Sequence, residues 1–325
     1  LYVVYEPTLS SNINPKPTLQ DAQKSLTWLR EILLADFPFE SDTDRDAVIS
    51  TLLTALLIRL LPAAPGFLFQ APIQSSGKTT LIEVVFRSVF GTPVAATPWL
   101  ERPEEMAKTL FALLREGPPG IVFDNIRSGS QIDSAELAMA MTAEKLKLRV
   151  LGVSETEEAP SNTLFAASGN QVTVTGDLIT RFIPIKIIPN IEDPSRRRFS
   201  RPDLISWLEE HRSETLGHLF AVIYGYMQSS DAIPNLEPTR FSNWDTTVRA
   251  SLVWSGGNDP ADLFDRNREE DTEGPAIYEL IHGLYKYKAT APFTVKDIST
   301  IMNIPREQPS PESVATQPIF DAISD

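Results

Sequence analysis

GFLFQAPIQSSGKTT, residues 66–80, contains the strongest indication of a fold in this chain. Its first five residues form an apolar run, which predicts a buried strand. A polar loop containing serine and glycine follows, and the segment KTTLIEVVFRSVF then predicts a helix that begins where the loop ends. A strand, a loop and a helix in this order place backbone N–H groups at a helix N-terminus, where they can bind phosphate.

Each residue type in the loop suits one part of a bound nucleoside triphosphate. Gly77 would let the backbone approach the phosphates, Lys78 would reach the β- and γ-phosphate oxygens, and Thr79 would offer a hydroxyl to Mg²⁺. Pro72 stands where the usual pattern has its first glycine, so the entry turn must differ from that pattern. The alternative is a Ser/Gly loop with a surface lysine. The residues predicted to bind ATP are Pro72, Gln74, Ser75, Ser76, Gly77, Lys78, Thr79 and Thr80.

Further apolar runs predict the rest of the sheet. They are GIVFDN (120–125), NTLFAASGN (162–170) and TRFIPIKII (180–188). Because strands alternate with helical patterns along this part of the chain, we predict a mainly parallel sheet covered on both faces. Between the second and third strands, residues 147–167 predict a hairpin. Its predicted turn holds Glu155, Glu157, Glu158 and Pro160.

Two of these strands end in polar residues. In a parallel sheet those strand ends lie at the same edge as the loop. Asp124 is predicted to bind Mg²⁺ together with Thr79, since such sites use a carboxylate from a neighbouring strand. Asn170 is predicted to orient the attacking water, and Asn125 is counted with the catalytic residues. A cap or turn role is the alternative for Asp124 and Asn170. Glutamate more often follows the metal-binding aspartate, so the general base is left open. Its candidates are Glu83, Glu104 and Glu105.

Several basic residues could offer positive charge to a phosphoryl group or to nucleic acid. Arg181 is predicted to act as a finger that completes a neighbouring subunit's site, with an ordinary salt bridge as the alternative. The densest basic cluster is Arg196, Arg197, Arg198 and Arg201. It could sense nucleotide, contact a polyanion or only solvate a linker. Lys145, Lys147 and Arg149 lie near the predicted hairpin. A DNA contact would be useful there, although the acidic turn weakens that hypothesis.

The composition excludes several other functions. The chain has no cysteine, which removes disulfides, thiolate zinc sites and cysteine nucleophiles and fits a reducing cytoplasm. The most apolar run, residues 47–61, carries Arg59 and is shorter than the roughly 20 residues that span a bilayer, so no membrane segment is expected. The net charge of −14 argues against non-specific coating of nucleic acid. Residues 203–325 carry −11 of it, which leaves room for a basic channel in the earlier part.

Taken in order, these motifs resemble the AAA+ ATPase-helicase module of phage, plasmid and genomic-island primase-helicase replication proteins, which is related to superfamily 3 and MCM-like helicases. The resemblance rests on APIQSSGKTT, GIVFDNI, MTAEKLKLRVLG, ASGNQVTVTGDLITRFIPIKI and FSNWDTTVRASLVWSG. In such proteins Ala-Pro often precedes the loop, so Pro72 is usual there, while Ser75 replaces a glycine. An Asp-Asn pair on the second strand is also familiar. The family's Arg-Arg pair is Thr180-Arg181 here, so only Arg181 inherits the finger role.

The resemblance implies ATP and Mg²⁺ as cofactors, a homo-hexameric ring with ATP between subunits, and single-stranded DNA in its channel. The first residue is Leu1 rather than Met, so the sequence is expected to be a fragment, and the resemblance implies a possible N-terminal primase-polymerase domain in the full-length chain. We therefore predict an α/β fold with an N-terminal lead-in and helix (1–42), a P-loop AAA+ core (43–202) and a C-terminal helical region (203–325), with a winged helix as one option for the tail.

The predicted function is an ATP-driven DNA helicase that translocates on single-stranded DNA during replication of a phage or mobile genetic element. The first alternative is an AAA+ regulatory or protein-remodelling ATPase, for example in a defence system, that does not act on DNA. In that case the acidic C-terminal region would be a docking surface. The second alternative keeps the nucleotide as a structural switch that is bound and not hydrolysed.

Overall fold

The computed structural model describes residues 14–93, 95–149, 156–189, 200–201, 203–231, 234–270, 273–288, 294–304, 311–317 and 319–320. The chain divides into two compact units, Leu1–Asn267 and Arg268–Asp325. The first unit is an α/β structure built on a five-stranded sheet, which confirms the predicted fold class. Its strand, loop and helix at residues 66–90 give it a P-loop-like core.

The central sheet has the strand order β2-β3-β7-β1-β9, and its paired strands run parallel. The strands are β1 (Gly66–Ala71), β2 (Ala96–Thr97), β3 (Gly120–Ile126), β4 (Gln131–Ile132), β5 (Lys145–Arg149), β6 (Thr156–Pro160), β7 (Leu164–Asn170), β8 (Thr173–Val174) and β9 (Phe182–Lys186). β1 is buried along its whole length between β7 and β9. Because the strands are parallel, the loop after β1 lies at the same edge of the sheet as the ends of β3 and β7.

Helices account for much of the rest of the described chain. They are α1 (Leu19–Trp28), α2 (Asp42–Leu57), α3 (Lys78–Phe90), α4 (Pro103–Glu116), α5 (Ala135–Ala140), α6 (Leu204–Glu210), α7 (Arg212–Gln228), α8 (Ser242–Trp244), α9 (Ala250–Trp254), α10 (Phe264–Glu270), α11 (Glu273–Lys288), α12 (Val295–Met302) and α13 (Pro311–Ala315). π-helical turns extend α1 through Leu29–Leu33 and join α8 to α9 through Asp245–Arg249. Short 3₁₀ turns cover Gly176–Leu178 and Pro260–Leu263.

Side chains of β1 alternate between two apolar cores, as the two-residue period of a strand requires. Phe67 and Phe69 face a core shared with α1, α2, α3 and α7. Leu68 faces a second core shared with α4 and α5. The sheet is therefore covered on both faces, as predicted. The apolar run 47–61 is buried along most of α2, which ends at Leu57, whereas Leu60 beyond the helix is exposed. Among the described residues no helix has the length and apolar character that a membrane span requires.

The predicted hairpin is present, but its turn was predicted at the wrong place. β5 and β6 pair antiparallel along their whole lengths. Glu157, Glu158 and Pro160 belong to β6 rather than to the turn, and Glu155 lies outside the described residues. Ala159 is buried in the second core, so packing on one face of β6 overrides the turn preference of its acidic and proline residues.

The second unit contains α11, α12 and α13, with Leu284, Ile301 and Ile319 in its small core. The described residues of this unit include no strand, and the winged helix stays a prediction. The domain boundaries predicted after residues 42 and 202 also stay predictions. α6 to α9 lie within the first unit.

Two fully buried carboxylates on α2 fasten segments that are distant in sequence. Asp46 accepts hydrogen bonds from Arg30 Nε at 2.7 Å and from the backbone N–H of Asn258 at 2.7 Å. Asp44 accepts from both terminal nitrogens of Arg266, at 2.5 and 2.9 Å, and from the N–H of the last residue of β9 at 2.8 Å. These contacts hold three parts of the chain against α2. The parts are the π-helical turn after α1, strand β9 and residues 258–266.

Replacing Asp46 with alanine is expected to lower the free energy of unfolding by about 3 kcal/mol, since it strands the partly buried Arg30 and the Asn258 N–H without their acceptor. Urea denaturation measures the change. The control is Asp42→Ala, which removes an ion pair to Arg45 in which the aspartate side chain is 73% exposed. That control should cost less than about 1 kcal/mol. Equal urea midpoints for the two variants would contradict this role of the α2 carboxylates.

Candidate functional site

The loop between β1 and α3 borders a cavity of about 410 Å³ at the carboxyl edge of the sheet. Gly77, directly before α3, has φ +95°, and Ser75 has φ +59°. Left-handed conformation is easiest for glycine, which explains the residue type at position 77. The residues that line the cavity are Gln74, Ser75, Ser76, Gly77, Lys78, Thr79, Thr80, Asn125, Ser168 and Asn170. Of the predicted ATP-binding residues, only Pro72 is outside this lining.

Lys78 is the cation of the cavity. Its Nζ donates a hydrogen bond to Asn170 Oδ1 at 2.6 Å. Burial of the ammonium lowers the pKa of Lys78, and the charge of Asp124 raises it in part. A half-buried ammonium whose close partner is a neutral amide gains from an added anion, because an opposite charge offsets its desolvation. A polyphosphate would supply that charge.

Thr79 and Asp124 come together as predicted. The Thr79 hydroxyl lies 3.3 Å from each carboxylate oxygen of Asp124, across the gap between α3 and β3. Asp124 Oδ1 also accepts a hydrogen bond from the Ser168 hydroxyl and one from the N–H of Asn125 at 2.9 Å. Two protein oxygen ligands suit Mg²⁺ that arrives with the phosphates of its substrate. Among the described residues no group of three or more His, Cys, Asp or Glu could hold a metal without a nucleotide.

The candidates for a general base are not at the cavity. Glu83 forms an ion pair with Arg87 at 2.7 Å, and Glu105 forms one with Lys108 at 2.7 Å. Glu83, Glu104 and Glu105 do not line the cavity, and the described residues that do line it include no glutamate. Asn125 does line it and is exposed. The amide residues Asn125 of β3 and Asn170 of β7 both line the cavity.

Arg181 stands at the opposite edge of the sheet from the cavity. Its carbonyl accepts a hydrogen bond from the N–H of Gly66 at 2.9 Å, where β1 begins, whereas the loop follows the end of β1. At about 3.3 Å per residue, β1 separates the two by roughly 20 Å. The Arg181 side chain is buried and lies 3.5 Å from the Asp177 carboxylate. Burial and then the charge of Arg240 lower the pKa of Arg181. Arg181 therefore cannot complete the cavity of its own chain.

The predicted basic cluster lies largely outside the described residues, which exclude Arg196, Arg197 and Arg198. Arg201 is described, and its guanidinium stacks 4.1 Å from the ring centroid of Trp207. Sequence reasoning missed Ser168, which lines the cavity and bonds to Asp124. The available signal was its place two residues before Asn170 on the strand next to Asp124.

No protein-family model matches the chain, and no curated protein matches it. Among solved structures the chain is similar to the A-form apo structure of the NrS-1 C-terminal region, with 11% identity, a TM-score of 0.42, and coverage of 97% of this chain and 67% of that chain. It is also similar to a second A-form apo structure of that region, with 9% identity, a TM-score of 0.43, and coverage of 99% and 69%. At these values the likeness assigns no activity, and the interpretation rests on the site.

Proposed function

We propose that this chain binds ATP with Mg²⁺ and hydrolyses it. The observation that carries the proposal is that a lysine, a threonine and an asparagine line one cavity at the end of a buried parallel strand, with the Asp124 carboxylate 3.3 Å from the hydroxyl of that threonine. In this assignment the N–H groups at the start of α3 and Lys78 bind the phosphates. Thr79 and Asp124 hold Mg²⁺, whose charge stabilises the negative charge on the phosphoryl group during transfer.

Asn170 has a second task in this proposal. Its Oδ1 accepts the Lys78 hydrogen bond while no phosphate competes for the lysine. A bound γ-phosphate takes that ammonium, and the amide of Asn170 is then free to hold a water in line with the phosphoryl group. Asn125, which is exposed and lines the same cavity, is assigned to hold the same water. Both residues position the nucleophile rather than remove its proton.

The same proposal puts ATP between neighbouring subunits of a ring, taken as a homo-hexamer. Arg181 supports this arrangement because it lies too far from the cavity of its own chain to act there. Its Nε is buried and has no hydrogen-bond partner among the described residues. An arginine supplied by one subunit can stabilise the transferring phosphoryl group of the next subunit. Arg181 is thus assigned to catalysis in the neighbour's site.

Single-stranded DNA is the proposed polymer that ATP hydrolysis moves, and the β5–β6 hairpin is its proposed contact. Lys145 and Lys147 are exposed, whereas Leu146 between them is buried. Since alternate strand residues share a face, the two lysines lie on the same face of β5. Glu158 lies 3.7 Å from Lys145, but both side chains are more than half exposed. Such an ion pair is weak, so the lysines can exchange it for phosphates.

Replacing Lys145 and Lys147 together with glutamate is expected to weaken binding of a single-stranded oligonucleotide more than about 10-fold at low salt. The slope of log affinity against log salt should fall by about 0.7 for each phosphate that the variant no longer neutralises. Fluorescence anisotropy between about 50 and 200 mM salt measures both quantities. The matched control changes Lys16 and Lys24, which are exposed on or near α1, to glutamate and alters the net charge equally. Equal reductions in affinity for the two double variants would contradict a role for the hairpin.

The proposal in full is an ATP-driven helicase for replication of a phage or mobile element, with a primase-polymerase domain in the full-length protein. An AAA+ ATPase that remodels proteins is the second candidate, because 11 of the 14 net negative charges fall in residues 203–325. An acidic region of that kind repels DNA and suits a basic protein partner. The two functions share the ATP site and differ in whether DNA changes its turnover.

A further inference from the structure

β3 is irregular where it delivers Asp124. Its register with β7 is regular as far as Phe123 and resumes, shifted, at Ile126. Asn125, inside this bulge, has φ +57°, which is uncommon for a residue other than glycine. The bulge takes the N–H of Asn125 out of the regular hydrogen-bond ladder between β3 and β7. A backbone N–H in this position needs another acceptor.

Ser168 of β7 supplies that acceptor and also holds the carboxylate. The residue is only 1% exposed. Its Oγ accepts a hydrogen bond from the N–H of Asn125 at 3.1 Å and donates its own proton to Asp124 Oδ1. A serine hydroxyl has a single proton to donate, so this bond commits it to the carboxylate.

These bonds fix the carboxylate from one side. Asp124 Oδ1 is held by Ser168 and by the N–H of Asn125, while both carboxylate oxygens remain 3.3 Å from the Thr79 hydroxyl. Two donors on one oxygen restrict rotation of the carboxylate, so it is already aimed at Thr79 before a metal arrives. A group that fixes a metal ligand in this way commonly changes metal affinity when it is removed.

We propose that Ser168 is a positioning residue whose hydroxyl holds the Asp124 carboxylate opposite Thr79 and thereby sets the affinity of the nucleotide site for Mg²⁺. The inference rests on the proposed function, because it takes Thr79 and Asp124 as ligands of the Mg²⁺ that accompanies ATP. Ser168 also lines the cavity, but its proton is committed to Asp124. It therefore acts through the aspartate and not as a donor to phosphate.

The test is nucleotide binding without turnover. The affinity of the full chain for a fluorescent ADP analogue is measured in EDTA and over a Mg²⁺ titration, for the wild type, Ser168→Ala and Ser168→Thr. In EDTA all three should agree within about twofold, because Ser168 makes no contact with phosphate. The Mg²⁺ concentration for half-maximal enhancement should rise about 10- to 100-fold in Ser168→Ala. It should stay near the wild-type value in Ser168→Thr, which keeps the hydroxyl.

A double-mutant cycle with Asp124→Asn separates action through the aspartate from an independent effect. Adding Ser168→Ala to Asp124→Asn should cause no further loss of Mg²⁺ enhancement. An unchanged half-maximal Mg²⁺ concentration in Ser168→Ala would overturn the inference, as would an equal loss of affinity in EDTA or additive losses in the cycle. A wild type whose nucleotide affinity does not respond to Mg²⁺ would instead contradict the proposed function itself.

Discussion

Replacing Lys78 with alanine is expected to lower ATP turnover by about 10³-fold while the fold is retained. The ammonium is the only cation among the described residues that line the cavity, so its loss removes the main charge that binds the β- and γ-phosphates. The fold should survive because the described hydrogen bond of the Lys78 side chain goes to Asn170, at 2.6 Å, and Lys78 belongs to neither apolar core of the sheet. Burial also lowers the pKa of Lys78, as expected for an ammonium that is partly removed from water.

Phosphate release from MgATP measures the effect, with far-UV circular dichroism as the check on folding. The matched control is Lys108→Ala, which removes an exposed lysine from α4 that forms an ion pair with Glu105 at 2.7 Å. We expect that control to keep full turnover. Full turnover in Lys78→Ala would show that the cavity is not the site of hydrolysis.

Replacing Arg181 with alanine is expected to lower turnover by about 10³-fold or more, which is the usual effect of removing an arginine finger. Nucleotide affinity should change little, since Arg181 and the cavity lie at opposite edges of the sheet in one chain. The control is Asp177→Ala, which removes the carboxylate 3.5 Å from the Arg181 guanidinium and keeps the guanidinium itself. This control should retain turnover.

Mixing variants tests whether Arg181 acts on the neighbouring subunit. A Lys78→Ala subunit has an intact Arg181, and an Arg181→Ala subunit has an intact cavity. In a mixed assembly the first completes the site of the second, so turnover should rise above that of either variant alone. A mixture that remains as inactive as its components, or an active Arg181→Ala protein, would contradict action between subunits.

Four of the five strands of the central sheet could be predicted from sequence because they are short apolar runs, whereas β2 is only two residues long and was missed. Phe67, Leu68 and Phe69 are buried on both faces of β1, so they form a continuous apolar run that is typical of a central strand. The hairpin turn could not be predicted in the same way. Glutamate is less common in strands than in exposed loops, so Glu157 and Glu158 did not indicate a strand. Only the packing of Ala159 in the second core identifies their segment as one.

The candidate site was predictable where one motif or one strand end carried the signal. Lys78 and Thr79 follow from the loop, and Asp124 and Asn170 follow from the strand ends that parallel pairing brings to the same edge. Ser168 was missed because its role depends on the lateral pairing of β3 with β7 and on the bulge at Asn125, neither of which leaves a pattern within a single segment. Long-range pairing of this kind is a property of the folded sheet.

Steady-state ATP hydrolysis by the wild-type chain, with and without single-stranded DNA at two salt concentrations, tests the central claim most directly. We expect Mg²⁺-dependent turnover that DNA increases. The apparent affinity for DNA should fall with salt by about 0.7 log units per log unit of salt for each phosphate that the protein neutralises. Turnover that DNA leaves unchanged at both salt concentrations would contradict a motor on DNA and favour a protein substrate, and the absence of turnover would contradict the ATPase assignment.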